Sequence, residues 1–276
     1  WFCVGDILDI ADTSSLLHLI KKTPKLQSEL AMQLVSRLQE AVHKEKVLNC
    51  YVEESQDIDK ALSIFIRINK DGTQLSFSDL VMSIVVAHWK SDAKKAITGL
   101  CNQIFNNHGF RVEKDFVLKT YLYLYERDIR FKVNNFGIKS AEVFEKNWEA
   151  IKQAIDVVYK LIKGMGFTEG SINSQYQLLP VIYYVYYNHL NEKWVQSATS
   201  YNKNQRESIR RWLCLTTLTQ TRFSDTILRR IRDQFDSTTK DFPAQKIVDA
   251  FEGTQQDMSL DDSKIDSILK TDVTQF

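Results

Sequence analysis

The sequence predicts a mainly α-helical fold of the α+β type, in which helices greatly outnumber strands. Nine glycines and three prolines in 276 residues are too few for the many tight turns of a β-sandwich. After Lys90, apolar residues recur almost everywhere at the spacing of a helix face. One segment, Lys46–Glu53, has the apolar content and charged ends of a strand. A single strand cannot stand alone, so we expect its partners upstream of Trp1 in a longer protein.

Composition and charge limit the classes of function. The apolar fraction of 43% and the charged fraction of 26% are ordinary for a soluble domain. A net charge of +1 gives no overall field toward nucleic acid or membrane, so charged partners must be recognised by local patches. No apolar run reaches about 18 residues, which predicts that no membrane is a partner. Four scattered cysteines without a CxxC pair predict buried free thiols and a cytoplasmic location: Cys3, Cys50, Cys101 and Cys214.

The first part of the chain predicts short helices. The segment Asp6–Lys22 has helical spacing, and Pro24 ends it. Ser28 begins an amphipathic helix, and Asp57 is expected to cap a further helix that continues to Ile68. The apolar face of the Ser28 helix is predicted to contain Leu30, Leu34, Val35, Leu38 and Val42.

The later part of the chain predicts a multi-helix domain. Ser76 and Asp79 form a capping pattern that opens a helix ending near Trp89. Pro180 lies within an apolar run, so that helix is either kinked there or begins close to it. Helical periodicity is found at Ala93–Asn107, Lys114–Arg127, Ala141–Lys163, Tyr176–Leu190, Glu207–Thr219 and Ser224–Phe235.

The segment Ile64–Leu80, IFIRINKDGTQLSFSDL, is the strongest candidate for a ligand site, and we call it the elbow. It joins two helical runs through a polar turn that contains Arg67, Asn69, Lys70 and Gly72. A guanidinium, an amide and an ammonium group near a helix N-terminus suit a phosphate group. The same residues also fit a plain helix C-cap, in which Asn69 or Gly72 is left-handed and the cations are solvated.

The elbow closely resembles the second signature of the ParB/sulfiredoxin-like domains of GmrSD-type restriction proteins. That signature reads F-x-x-x-N-K/R, with a Gly and a Leu shortly after it, and Phe65, Asn69 and Lys70 match it position by position. Arg67, Gly72 and Leu75 match its usual surroundings. The preceding strand and helix, Lys46 to Ile68, follow in the expected order. The resemblance extends over most of the chain, and its specific residues lie at the elbow.

This resemblance implies a function in bacterial defence against phage DNA. Proteins of the family bind and hydrolyse nucleotide or couple this to DNA cleavage, which implies a nucleoside triphosphate with Mg in the intact protein. A nuclease domain or subunit and DNA are the implied partners. The family's D-G-Q-Q-R signature and an HNH-type nuclease signature do not occur in this sequence, nor does a P-loop. The five histidines are isolated, and no metal site is predicted. We therefore expect this chain alone to be catalytically incomplete.

A basic run is the second candidate, here defined as residues 203–232. With Asp233 included, eight cations face only three carboxylates, an excess that could contact DNA phosphates. The run could equally be a solvated face or be neutralised by the acidic residues after Asp241. The candidates for DNA-backbone contact are Arg206, Arg210, Arg211, Arg229, Arg230 and Arg232.

These observations combine into one reading of the chain. Residues 1–90 are interpreted as the latter part of a ParB/sulfiredoxin-like α/β domain, 91–240 as a helical domain and 241–276 as an acidic tail or linker. The expected function is that of part of a GmrSD-type protein, which holds nucleotide or DNA phosphate at the elbow. The alternative is a non-enzymatic helical module that binds a protein or DNA, with a purely structural elbow.

Overall fold

The computed structural model describes residues 3–45, 77–131, 138–236 and 240–260, together with residues 52, 54, 60, 64, 262, 265 and 266. The regular structure of these residues is helical, which confirms the mainly α prediction. No strand occurs among them, so the α/β part is not seen in the described residues. The predicted strand at 46–53 lies outside them except for residue 52, and most of the elbow and the helix before it lie outside as well.

The chain divides into two compact units, Trp1–Gln56 and Asp57–Phe276. The described residues of the first form the α-helices α1 (Thr13–Lys22) and α2 (Glu29–His43) and the short 3₁₀ helices Val4–Asp9 and Pro24–Leu26. As predicted, α1 ends before Pro24, and the Ser28 hydroxyl caps α2 by accepting from the backbone N–H of Ala31. Its small core consists of Ile7, Ile10, Leu16, Ile20, Leu26 and Val35.

The predicted apolar face of α2 is wrong in part. Leu30 and Leu34 are 68% and 60% exposed, whereas Gln39 is 2% exposed. The Gln39 amide donates to the backbone carbonyl of Ala11 at 2.9 Å, so this hydrogen bond compensates the burial of a polar side chain. Because Gln39 and Val35 face the core together, Leu30 and Leu34 are turned outward.

The second unit is a helical assembly, and its α8 begins at Leu179 with Pro180 in the first turn, as one of the two predicted alternatives has it. Two short 3₁₀ helices, Glu169–Ser171 and Gln175–Leu178, precede α8. The α-helices are α3 (Phe77–His88), α4 (Ala93–His108), α5 (Lys114–Tyr125), α6 (Ile138–Lys146), α7 (Trp148–Gly164), α8 (Leu179–Tyr187), α9 (Glu192–Gln196), α10 (Ser200–Leu218), α11 (Asp225–Arg232) and α12 (Ala244–Asp249).

Helix α5 lies at the centre of this unit. Every residue from Phe116 to Leu124 is buried, so the helix is surrounded on all sides by protein. It packs against α3, α4 and α8, and α7 packs against α4 and α8 in turn. Helix α3 therefore shares one core with the helices that follow residue 90. The burial of about nine side chains on one helix explains why this segment is almost wholly apolar in sequence.

The described part of the acidic segment after residue 240 packs into the same core. Phe242, Ile247, Phe251 and Met258 are buried, and α12 forms between them. The side chain of Asp241 accepts from Gln205 and Tyr201 on α10 at 2.8 and 2.7 Å. Residues 240–258 are therefore an integral part of the folded unit, attached through an apolar face and a hydrogen-bonded carboxylate.

The cysteine prediction is wrong in one respect. Cys3, Cys101 and Cys214 are free, but Cys3 and Cys214 are exposed instead of buried. Burial raises the pKa of the Cys101 thiol to about 11, so this thiol stays protonated and inert near neutral pH. Cys50 lies outside the described residues. None of the described helices is both long enough and apolar enough to cross a membrane.

Candidate functional site

The predicted phosphate site at the elbow lies outside the described residues. This applies to Phe65, Arg67, Asn69, Lys70 and Gly72 alike. The described structure resumes at α3, the helix that the elbow was predicted to open.

The described structure does place the basic run, and its first half lies on α10. The Thr199 hydroxyl caps this 19-residue helix by accepting from the backbone N–H of Asn202. One side of α10 is buried in the core through Gln205, Ile209, Trp212, Leu213 and Thr216. Because the basic residues fall between these positions, the helical period directs them to the surface and to its edges.

A hollow of about 550 Å³ lies between α10 and the C-terminal end of α7, and we call it the cationic hollow. Lys203, Arg206 and Arg210 line one wall of it. Leu161, Met165 and Val195 provide an apolar part of its lining. Lys203 and Arg210 are exposed. An open hollow with cations at its rim is suited to phosphate oxygens, which remain partly hydrated when they bind.

Arg206 is a fixed cation in this hollow. Its guanidinium donates to the backbone carbonyls of Trp194 at 2.7 Å and Ser197 at 2.5 Å, and it lies 5.8 Å from the ring centroid of Trp194. These contacts satisfy carbonyls at the end of α9 and hold the side chain in one orientation. Arg206 thus supplies positive charge to the hollow while one donor on each of its two terminal nitrogens is already used within the fold.

Glu207 lies beside the cations of α10. Its carboxylate is 3.5 Å from a guanidinium nitrogen of Arg210 and 3.1 Å from Nε of Arg211. A second hollow of about 380 Å³ lies between α10 and α12 and is lined by Arg211, Trp212 and Gln245, among others. Glu207 lines both hollows. One carboxylate therefore connects two exposed arginines, of which Arg210 lines the cationic hollow and Arg211 lines the second hollow.

The second half of the basic run lies on α11, and Arg232 serves the fold there. Its guanidinium donates to the backbone carbonyls of Tyr123 at 2.9 Å, Glu126 at 2.7 Å and Arg127 at 3.0 Å, all at the end of α5. These carbonyls have no partner within α5 itself, so Arg232 acts as a C-terminal cap from another helix.

The two neighbouring arginines of α11 differ from Arg232. Arg230 is exposed and lies 4.8 Å from the ring centroid of Phe251, in the segment after residue 240. Arg229 is half-buried, and its Nε has no hydrogen-bond partner among the described residues. The predicted set of six arginines is thus divided between three exposed ones, Arg210, Arg211 and Arg230, and three half-buried ones, Arg206, Arg229 and Arg232.

Sequence reasoning missed an ion pair between α5 and α11. Lys119 is 2% exposed, donates to the backbone carbonyl of Ile129 at 2.7 Å and pairs with the carboxylate of Asp225. Its ammonium group also lies 5.0 Å from the ring centroid of Phe131. Burial lowers the pKa of Lys119, and the neighbouring Asp225 opposes this shift. The signal in the sequence was a single lysine within the apolar run Phe116–Tyr125.

A third hollow, of about 760 Å³, is polar and lies beside the loop between α10 and α11. Thr168, Ser171 and Asn173 line it, and Arg222 is a cation in its wall. Much of this polar lining is engaged within the fold, since Asn173 donates to the carbonyl of Thr217 and Ser171 bonds to Thr168. The hollow contains none of the six arginines predicted to contact DNA.

Within the described residues, no group of histidine, cysteine, aspartate or glutamate side chains is arranged to hold a metal ion. Comparison of the chain with protein-family models and with curated proteins finds no match. The features of this chain that indicate a function are the elbow in the sequence and the cations of α10 in the structure.

Proposed function

We propose that this chain is part of a GmrSD-type DNA-defence protein and that its elbow holds a phosphate group of nucleotide or DNA. In this proposal Lys70 and Arg67 meet the phosphate, Asn69 fixes the turn and contacts the ligand, Phe65 supports the preceding helix, and Gly72 permits the turn. Because the D-G-Q-Q-R signature does not occur in the sequence, we expect the chain to bind ligand without completing the reaction.

The observation that supports this proposal best is the match of Phe65, Asn69 and Lys70 to the F-x-x-x-N-K signature. The mainly helical region after the elbow is consistent with the helical extension of that family. The cationic hollow adds a surface where a duplex could be held through its backbone, with Lys203 and Arg210 as its exposed cations. Such contacts would position DNA without reading its sequence.

Binding of nucleotide and of DNA by the full-length protein tests the elbow. Titration of ATP with Mg, and separately of a fluorescently labelled 20-base-pair duplex, is compared for wild type, Asn69→Ala and Lys70→Ala. We expect each variant to bind at least one of the two ligands about tenfold or more weakly, because a charge-assisted hydrogen bond to phosphate is lost. If both variants fold normally and bind both ligands as tightly as wild type, the elbow is only a helix cap.

A second candidate function is a non-enzymatic helical module that binds a DNA backbone through α10 alone. The exposure of Lys203 and Arg210 beside the cationic hollow favours it, because these cations do not depend on the elbow. Duplex binding is then expected to persist in Asn69→Ala and Lys70→Ala but to weaken in Lys203→Ala/Arg210→Ala. The slope of log Kd against log salt should decrease by about two in that double variant.

A further inference from the structure

We propose that Glu207 is a built-in competitor for phosphate on α10, which holds Arg210 and Arg211 until a polyanion displaces it. The inference rests on the proposed duplex binding by the cations of α10 and adds a regulation of that surface. It assigns a function to a carboxylate that would otherwise oppose nucleic-acid binding.

The geometry supports a competitor because Glu207 contacts both exposed arginines. Its Oε2 lies 3.5 Å from Nη1 of Arg210, and its Oε1 accepts from Nε of Arg211 at 3.1 Å. Glu207 also lines the hollows on both sides of the helix. A carboxylate presents two oxygens to a guanidinium in the way that a phosphate does, so the two anions would occupy the same donors.

The strength of these contacts allows displacement. Glu207 is 42% exposed, and its two partners are 55% and 80% exposed in their side chains. Exposed ion pairs at spacings of three and four residues stabilise a helix only slightly and are screened by salt. A duplex presents several phosphates at once and releases counterions when it binds, so it competes well against one weakly held carboxylate.

The position of Arg206 separates this arrangement from a simple network of surface charges. Arg206 remains bonded to the carbonyls of Trp194 and Ser197, so it does not depend on Glu207 for its orientation. Removal of the Glu207 charge should therefore leave Arg206 in place and free only Arg210 and Arg211. The expected effect is on affinity and its salt dependence, with little change in folding.

The test compares Glu207→Gln with Glu149→Gln in the full-length protein by fluorescence anisotropy with a labelled 20-base-pair duplex at 50 to 300 mM salt. Glu149 is a matched control, since it is an exposed glutamate at 3.8 Å from Lys152 in an equivalent helical pair. It lies in the first turn of α7, about 20 Å along that helix from the hollow and beyond the screening length at 0.1 M salt.

We expect Glu207→Gln to lower the Kd about fivefold at low salt, the effect of removing one like charge about 4 Å from a phosphate in water. The slope of log Kd against log salt should become steeper by about one, whereas Glu149→Gln should bind as wild type does. Suppose that Glu207→Gln binds no more tightly than Glu149→Gln, while Lys203→Ala/Arg210→Ala weakens binding. The cations of α10 then bind the duplex, but Glu207 does not compete with it. If neither wild type nor Glu207→Gln binds the duplex, both ideas are overturned.

Discussion

Lys119 is a single residue whose charge the fold has to compensate. Its ammonium group has lost almost all contact with water, and three neighbours replace the solvent: the carboxylate of Asp225, the carbonyl of Ile129 and the ring of Phe131. Because the Asp225 side chain is 34% exposed, water can partly replace Lys119 there, whereas the Lys119 side chain is 3% exposed and its ammonium group depends on its partners. Lys119 should therefore be much more sensitive to substitution than an exposed lysine.

We expect Lys119→Met to lower the free energy of unfolding by about 1–2 kcal/mol, because the Ile129 carbonyl and the partly exposed Asp225 lose a hydrogen-bond donor. Urea denaturation measures the change. Lys114→Met is the matched control in the same helix, since Lys114 pairs with Asp79 at an exposed position, and it should cost less than about 1 kcal/mol. The double variant Lys119→Met/Asp225→Asn should recover part of the loss. Equal effects of the two lysine variants would show that the buried charge is not compensated as described.

Tyr159 offers a complementary prediction, because its buried hydroxyl has no hydrogen-bond partner among the described residues. An unsatisfied buried hydroxyl destabilises the folded state, so we expect Tyr159→Phe to raise the free energy of unfolding by up to about 1 kcal/mol. Tyr184 is equally buried, but its hydroxyl donates to the carbonyl of Lys240 at 3.0 Å. Tyr184→Phe should therefore lower the free energy of unfolding by about 1 kcal/mol. The thermal or urea unfolding midpoints of the two variants should shift in opposite directions.

At the scale of elements, α11 is fastened to α5 at both ends and in the middle. Lys119 pairs with Asp225 in the first turn of α11, and the Tyr123 hydroxyl donates to the carbonyl of Leu228 at 3.1 Å. Arg232 caps the end of α5. The buried residues Leu228 and Ile231 add apolar contact between these polar ones. Two polar side chains of this short helix, Asp225 and Arg232, are thus used to position it on the core.

Arg232→Ala is expected to lower the free energy of unfolding by about 2–3 kcal/mol, because two half-buried carbonyls and one exposed carbonyl at the end of α5 lose a charged donor. Arg210→Ala, at an exposed position of α10, should change it by less than about 0.5 kcal/mol. Urea denaturation distinguishes them. If the two variants are equally stable, Arg232 is not a structural cap, and it becomes available again as a DNA contact.

The sequence was informative wherever local chemistry decides the structure. The Ser28 cap, the end of α1 before Pro24 and the start of α8 at Pro180 depend on neighbours a few residues away. The predicted helix over 141–163 was less accurate, because the structure has a break at Asn147, where the side-chain amide donates to the carbonyl of Val143. Such a break depends on packing between helices and leaves little trace in apolar periodicity.

The accessibility of each arginine in the basic run could not be predicted from sequence. Arg210 and Arg232 have the same chemistry, and both occur in helices with cations on either side. Their difference arises because α11 lies beside the open end of α5, which is more than 100 residues earlier in the chain. Contacts at that separation are set by the tertiary fold, so the sequence predicted a charged run but not which charges remain at the surface.

At the scale of the whole molecule, the second unit buries an unusual number of phenol groups. Tyr121, Tyr123, Tyr159 and Tyr184 are each at most 2% exposed, and the aromatic rings around them pack mainly edge-to-face or at a tilt. The tyrosine-rich run Tyr183–Tyr187 is largely part of this core, although Tyr187 is 47% exposed. Most of this run therefore packs as core. A core of this kind responds to pH through the ionisation of phenol groups.

The stability of the protein should fall steeply above pH 10. Burial raises the pKa of Tyr121, Tyr123, Tyr159 and Tyr184 well above the ordinary value near 10. Unfolded tyrosines lose protons above pH 10 while the buried ones retain them, so each contributes stability that is present below pH 10 and is lost by about 1.4 kcal/mol per pH unit above it. Lys119 acts in the opposite direction. Its pKa is lowered in the folded protein, so the unfolded chain binds this proton more tightly, and the contribution of Lys119 to stability increases with pH up to about pH 10.5.

Urea denaturation at pH 8, 9, 10 and 11 measures this balance, with far-UV circular dichroism as the signal. Four tyrosines outweigh one lysine, so we expect a nearly level free energy of unfolding from pH 8 to 9 and a steep decline from pH 10 to 11. Tyr159→Phe should reduce the slope of the free energy of unfolding against pH above pH 10 by about one proton, because the phenylalanine cannot ionise in the unfolded chain. Lys119→Met should make the decline in the free energy of unfolding begin at a lower pH. A free energy of unfolding that stays level to pH 11 would mean that these phenol groups reach solvent in the folded protein, and the core packing around α5 would have to be revised.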